Sequence, residues 1–244
     1  MSGRVVIVGA SSGIGMALTK AYIAEGWSVG VAARRVAPFA DMPVAVQQID
    51  ITAHDAPNLL TRLIARLGGM DLYLHVAGIG YDNPTLSPER DVDMVRTNCE
   101  GFSRMVLAAY NWFCANADGY GHIAAVTSVA STMGIGNMAA YSASKKFGAT
   151  YITALDQLAH NDHRHIRFTD IRPGWCRTSL LASDKRYPME MLPERVAAAI
   201  VKAVRRHRRV AVIDYRWRIL VALWRLLPHW LWVRMSVAKL LTPE

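Results

Sequence analysis

The 244-residue sequence has only three cysteines, Cys99, Cys114 and Cys176, odd in number and far apart. That excludes a disulfide framework or a zinc knuckle and makes a reducing compartment the expected setting. Charged residues are also sparse, at 19% against 52% hydrophobic. A disordered or low-complexity chain is thereby excluded, because apolar surface is ample to offset chain entropy. The N-terminus has no charged n-region, long apolar stretch or cleavage signature. Gly9 through Gly15 interrupt its first apolar run at once, so no signal peptide is expected. Internal repeats are lacking, as is any Pro/Gly/Ser linker long enough to divide the chain. One domain is the economical reading at this length.

Acidic residues are scarce too, 19 against 28 Lys and Arg, giving a net charge of +9. The scarcity is local. Residues 205–244 hold nine basic side chains against Asp214 and Glu244, so +7 of the charge lies there and the remainder is nearly balanced.

Short apolar runs alternate with longer segments of helical spacing. Strands are predicted at Val5–Val8, Ser28–Ala33, Val44–Ile49, Leu72–Val76, His122–Thr127, Ile166–Ile171 and Val210–Ile213. Helices are predicted at Ile14–Glu25, Ala56–Leu67, Val92–Asn116 (two helices meeting near Gly101), Tyr141–His160 and Glu194–Arg206. This alternation, with strands apolar throughout, implies an α/β doubly wound parallel sheet of the Rossmann type, about seven strands covered on both faces.

The first strand runs into Gly9-Ala10-Ser11-Ser12-Gly13-Ile14-Gly15 and then a helix. Glycines permit a tight turn there and let backbone N–H groups approach a pyrophosphate, while the helix N-terminus favours an anion. The spacing G-x-x-x-G-x-G differs from the usual dinucleotide fingerprint. The second strand ends in Arg34-Arg35 with no acidic residue. An acid at that place would bind the ribose 2′-OH of NAD, whereas arginine pairs a 2′-phosphate, so NADP(H) is favoured over NAD(H). Tyr141 and Lys145 stand at i and i+4, on one helix face. A phenol of pKa about 10 is a poor acid–base group unless a neighbouring ammonium lowers that value. Ser128 closes a strand, where it could hydrogen-bond a carbonyl beside Tyr141.

In order, Gly9-Ala-Ser-Ser-Gly13-Ile-Gly15, Asp50-Ile51, Ala77-Gly78, Asn98, Ser128, Tyr141-Ser-Ala-Ser-Lys145, Pro173-Gly174 and Thr178 resemble the short-chain dehydrogenase/reductases in their compact single-domain form. The likeness runs from Arg4 to about Ile213. The resemblance implies that Asp50 and Ile51 contact an adenine ring and that Ala77, Gly78, Pro173, Gly174 and Thr178 line the cofactor. It implies Tyr141 as general acid–base, Lys145 on the nicotinamide ribose, Ser128 orienting the substrate carbonyl and Asn98 anchoring a water in a proton relay. Two departures stand out. Val8 occupies the place of the usual Thr, and His75-Val76-Ala77-Gly78 replaces Asn-Asn-Ala-Gly, so bracing of the sheet must come from elsewhere. Neither removes a reacting group.

Other features have plainer readings. The cluster His160, Asp162, His163 and His165 reads as a polar loop, with no metal expected. His75 reads as a hydrogen-bonded core histidine, and Cys176 as a small apolar filler. Between Thr178 and Pro193, a short lid carrying Tyr187, Met189 and Met191 is expected to offer an apolar substrate surface. The body is taken as residues 1–213 and a basic, Trp-rich helical extension as 214–244. In that tail a helix through Leu227 restarts after Pro228, and Arg225, Pro228, His229 and Arg234 break every window that could span a bilayer. Its apolar face packs on a partner subunit or over the cleft, or it contacts a membrane surface through 214–241, and these readings can coexist. Nucleic acid is not expected, since no recognition fold accompanies the charge.

The expectation is an NADP(H)-dependent oxidoreductase interconverting an alcohol and a ketone or aldehyde, acting on a small, apolar substrate as a homodimer or homotetramer. The expected place is the cytoplasm, peripheral to a membrane if the tail binds one. The alternatives are an NADPH-binding regulatory or scaffold protein acting through its tail, and the same chemistry on a lipid-linked or membrane-dissolved substrate.

Overall fold

The computed structural model describes residues 3–116, 120–178, 187–235 and 237, and the structural statements below concern these. Seven strands form one parallel sheet: β1 (Arg4–Val8), β2 (Ser28–Ala33), β3 (Val44–Gln48), β4 (Leu72–His75), β5 (Gly121–Val126), β6 (Ile166–Arg172) and β7 (Val210–Val212), in the order β3-β2-β1-β4-β5-β6-β7. Val5 to Val8 are buried on both faces of the sheet. That is why these runs are continuously apolar rather than alternating.

Helices cover both faces. On one, α1 (Gly13–Ala24) and α6 (Pro193–Arg205) pack Leu18, Tyr22, Ile200 and Val204 into a single cluster with β1 and β2. On the other, α2 (Ala56–Leu67), α4 (Phe102–Asn116) and α5 (Ala139–Asn161) pack Leu63, Phe113 and Ile152. Successive strands step outward from β1 to β2 and β3, then from β4 to β7 on the other side. The reversal opens a crevice at the carboxyl ends of β1 and β4, where ligands of doubly wound sheets bind.

The predicted pair of helices over Val92–Asn116 takes a different form. The first, α3, spans Pro88–Val95, four residues earlier than apolar periodicity suggests. Pro88 supplies a preset φ at the first turn, and Glu89 and Asp91 favour the positive helix end. Between α3 and α4, Arg96–Gly101 form a wide π-type turn instead of a break. Such turns shift side chains out of helical register and recur at functional sites. Asn98 lies within this one.

The tail forms α7 (Tyr215–Trp224) and α8 (His229–Arg234), divided at Pro228 as predicted. Asp214 caps α7 by accepting from the Arg216 N–H (2.9 Å) and pairs with the Arg216 guanidinium (2.8 Å). Trp217, Val221, Trp224 and Trp232 join the buried cluster of α1 and α6. The indole of Trp224 donates to Thr132 Oγ1 (2.9 Å) and that of Trp232 to the Gly134 carbonyl (2.8 Å). This inner face therefore packs on the loop that follows Ser128. Of the extension assigned to 214–244, residues 236 and 238–244, with Lys239 and Glu244, lie outside the described residues, as do 179–186 of the expected lid.

Candidate active site

The glycine turn closes the end of β1 against its neighbours. Gly9 has φ +89, and a Cβ there would lie 2.4 Å from the Ala77 nitrogen, so the loop after β4 presses on the turn with no room for a side chain. Gly13 meets Thr178 in the same way, its Cβ position lying 2.7 Å from Thr178 Cγ2. Behind them, Gly15 packs on the Gly9 carbonyl. Ser12 flanks α1 without a side-chain cap, and the first backbone bond of the helix is Met16 N–H to the Ser12 carbonyl (3.2 Å). The N–H groups of Gly13, Ile14 and Gly15 precede that bond and have no partner within the helix. Beside Ser11 they form a donor-rich end suited to a pyrophosphate. The loops after β1, β4 and β6 thus converge on one another.

Arg34 and Arg35 are both exposed just beyond β2, next to this turn. Among the described residues, no carboxylate lies within ion-pair distance of either guanidinium. Asp50 is occupied by Thr52, whose N–H (3.0 Å) and hydroxyl (2.8 Å) both donate to Oδ1. Those bonds, opposed by burial and helped by Arg34, hold the carboxyl below its usual range. Ile51 is buried against Gly101, at the end of the π-type turn.

Ser128, Tyr141, Lys145 and Asn98 come together from three different elements: the loop after β5, helix α5 and the π-type turn. Tyr141 and Lys145 share one face of α5, with the Lys145 Nζ 5.8 Å from the phenol ring centroid. Asn98 fastens the loop after β4, donating from Nδ2 to the Ile79 carbonyl (2.7 Å) and accepting the Ile79 N–H on Oδ1 (2.9 Å). Its Nδ2 also donates to Ser144 Oγ (3.1 Å), which donates to the Tyr141 carbonyl (2.9 Å). Gly78 sits between Asn98 Oδ1 and Lys145 Nζ, each 3.1 Å from where a Cβ would stand. A larger residue there would push the two apart.

One electrostatic expectation is corrected. Burial raises the Tyr141 phenol above its ordinary value, with a hydrogen bond from Ser128 acting the other way. Lys145 does not lower it in the protein alone. Its ammonium points at the Val126 carbonyl (3.2 Å) rather than at the phenol oxygen. Burial pushes Lys145 itself down to about 8, against support from Asp170 and Cys99.

This yields a stability prediction. Unfolded, the lysine keeps its proton to about pH 10.5, and folded only to about 8. Between those values the unfolded chain binds more protons, so this group's contribution to stability rises with pH. From pH 8 to 10 the wild type should gain on the order of 2 kcal/mol relative to Lys145→Met. Denaturant titrations of both proteins across that range check it, and parallel pH curves would contradict it.

One polar group behind the site, Asp170, escapes the sequence reading. Asp170 pairs with Ala125 across β5 and β6 and is almost fully buried. It accepts a hydrogen bond from Thr127 Oγ1 and an ion pair from Arg172 (2.6 Å). A carboxylate inside an apolar strand, two residues from an arginine on the same face, is the signal that marks it. His75 is buried as predicted, with Nδ1 2.9 Å from the Tyr73 hydroxyl and Phe102 edge-on at 4.9 Å. Its Nε2 has no hydrogen-bond partner. Burial, aided by the Lys145 charge, pushes the ring down to about 3 and keeps it neutral.

On the other wall, the Pro173 carbonyl accepts the Val129 N–H (3.0 Å), tying the Ser128 loop to β6. Gly174 lies flat against Trp217, whose indole would be 2.1 Å from a Cβ. Cys176 is buried and its thiol is raised to about 12 by burial and by Glu194 and Glu190, as a filler's would be. The expected substrate surface after Thr178 is corrected at its methionines. Met191 is buried and bonded through its backbone to Trp175 and Arg177, while Met189 offers its carbonyl to the Trp217 indole (3.4 Å). Both anchor the chain because apolar side chains gain more in the core than at an open cleft. Tyr187 packs on Trp175 at 4.7 Å. Among the described residues, no three His, Cys, Asp or Glu side chains are grouped to hold a metal ion.

Comparisons with known proteins identify the family of the chain. The family model for short chain dehydrogenases matches residues 4–187. An uncharacterised oxidoreductase of Myxococcus xanthus is 30% identical over 234 residues, covering 91% of this chain and 90% of its own. Another, from Mycobacterium tuberculosis, is 28% identical over 241 residues, covering 92% and 94%. Among solved structures, a short chain dehydrogenase of Burkholderia cenocepacia in complex with NADP superposes with a TM-score of 0.80 at 22% identity. That match covers 99% of this chain and 98% of the other, and it is a likeness of fold.

Proposed function

Since the chain belongs to the short-chain dehydrogenases, a family of nicotinamide-dependent oxidoreductases, we propose that it interconverts a carbonyl compound and an alcohol with NADP(H). The observation that carries this reading is the meeting of Tyr141, Lys145, Ser128 and Asn98 beside a donor-rich glycine turn. Bound there, the nicotinamide would supply or accept the hydride.

In reduction, Ser128 and Tyr141 hold the carbonyl oxygen, and the Tyr141 hydroxyl gives it a proton as negative charge develops. In oxidation the same oxygen receives the proton from the alcohol. Lys145, held at the Val126 carbonyl, would orient the nicotinamide ribose. Asn98, bonded to both Ile79 and Ser144, fixes the distance between the loop after β4 and the Tyr141–Lys145 turn. It would hold a water in line with Lys145 to return protons from solvent.

NADP(H) is preferred because two exposed guanidiniums and no carboxylate end β2. Arg34 and Arg35 can each give paired N–H groups to a 2′-phosphate. A screen of ketones, aldehydes and alcohols, followed by the absorbance of NADPH and of NADH, tests the reading. Cofactor-coupled turnover of at least one carbonyl is expected. NADPH binding with no turnover across the panel would favour a regulatory NADPH-binding protein instead.

A further inference from the structure

The tail helices carry two sets of apolar residues, and only one is used by the fold. Trp217, Val221 and Trp224 follow i, i+4, i+7 on α7 and are buried. Ile219 and Leu223 lie on the opposite side of α7, Leu226 follows in the turn beyond it, and Trp230 and Val233 are exposed on α8. Each of these five is more than half exposed. Lone exposed apolar residues need no explanation, but five large ones within residues 219–233 do.

The charges around them point to what covers them. Arg218, Arg225 and Arg234 are exposed, and no Asp or Glu occurs between Tyr215 and Met235. Among the described residues none of the three has a carboxylate within ion-pair distance, and Arg234 lies over the Trp230 ring at 5.7 Å. A second copy docked by a two-fold on this face would bring the same cations against themselves. An anionic surface would complement all three.

We propose that the outer face of α7 and α8 is a docking surface for an anionic phospholipid bilayer, lying in the plane of the headgroups. Among the described residues, no helix is long and apolar enough to cross a membrane. An in-plane helix needs an apolar face, basic flanks and an interfacial tryptophan, and these exposed residues supply each. The inner face holds Thr132 and Gly134 through the indoles of Trp224 and Trp232. Docking therefore sets the loop after Ser128 next to the lipid surface. The surface stands apart from the proposed chemistry and can fail without it.

The test is co-sedimentation of the full chain with phosphatidylcholine vesicles and with vesicles of equal phosphatidylcholine and phosphatidylglycerol. The wild type should pellet with the second and remain in solution with the first. Leu226→Asp is suited to the test because Leu226 is 80% exposed, so the fold does not depend on it. That variant, and separately Arg218→Glu/Arg225→Glu/Arg234→Glu, should lower partitioning about a hundredfold or more, with NADPH binding retained. Wild type that stays in solution with both vesicles would overturn the proposal. So would a charge-reversed protein that pellets like the wild type. Light scattering gives the remaining outcome: an oligomer that Leu226→Asp dissociates, without lipid binding, would make this face a contact between copies.

Discussion

Tyr141→Phe should lower kcat by a factor of roughly a thousand or more while leaving the NADPH dissociation constant within about threefold. The substitution deletes one oxygen and keeps the ring that Lys145 approaches at 5.8 Å. What is lost is the proton donor and the hydrogen bond with Ser128. An aqueous proton reaching the partly buried site is a poor substitute, because it is neither held at the right distance nor matched in acidity. The separation of effects is what makes the variant informative. In the proposed reading, binding rests on the glycine turn and the β2 end rather than on the phenol oxygen. Stopped turnover with intact binding, by fluorescence titration and steady-state rates, is the expected pair of results. Turnover near the wild-type rate would remove Tyr141 from the chemistry.

Arg34→Ala/Arg35→Ala should weaken NADPH binding about a hundredfold and NADH binding no more than a few-fold. Hydrogen bonds from a charged group are worth about 1.5–3 kcal/mol each, so two guanidiniums on one phosphate account for that ratio even with solvent screening. Among the described residues neither side chain pairs with a carboxylate, and both are exposed, so their removal should barely change folding stability. Asp50 stays fixed by Thr52 in the variant. Calorimetric titration of both cofactors into both proteins decides the point. Equal weakening of NADPH and NADH would mean that the arginines act on something common to the two.

The parts of this site that were legible in the sequence obey short-range rules. Gly9 to Gly15 lie between a strand and a helix, and Tyr141 and Lys145 are four residues apart on one, so local periodicity places them. Asp170 needed the pairing of β5 with β6, which puts it level with Ala125 beneath the Lys145 side chain. Asn98 was legible through the family motif, but its bond to Ile79 from within a π-type turn was not. The tail posed a different difficulty. Its helix is apolar on two sides, so spacing alone cannot say which stripe faces inward, and only the contacts of Trp224 and Trp232 with the Ser128 loop decide it. The acidity of Tyr141 was misjudged from proximity to Lys145 because burial outweighs a cation directed at a carbonyl.

The central claim is that this chain moves hydride and proton between a nicotinamide and a substrate carbonyl, with Tyr141 handling the proton. It is tested most directly by following deuterium from the labelled nicotinamide carbon of NADPH. The account predicts that wild type incubated with a carbonyl from the screening panel places deuterium on the carbinol carbon of the product. Tyr141→Phe, saturated with the same labelled cofactor, should transfer almost none in the same time. NADPH bound by the wild type with no label in any product, or equal transfer by the two proteins, would contradict it.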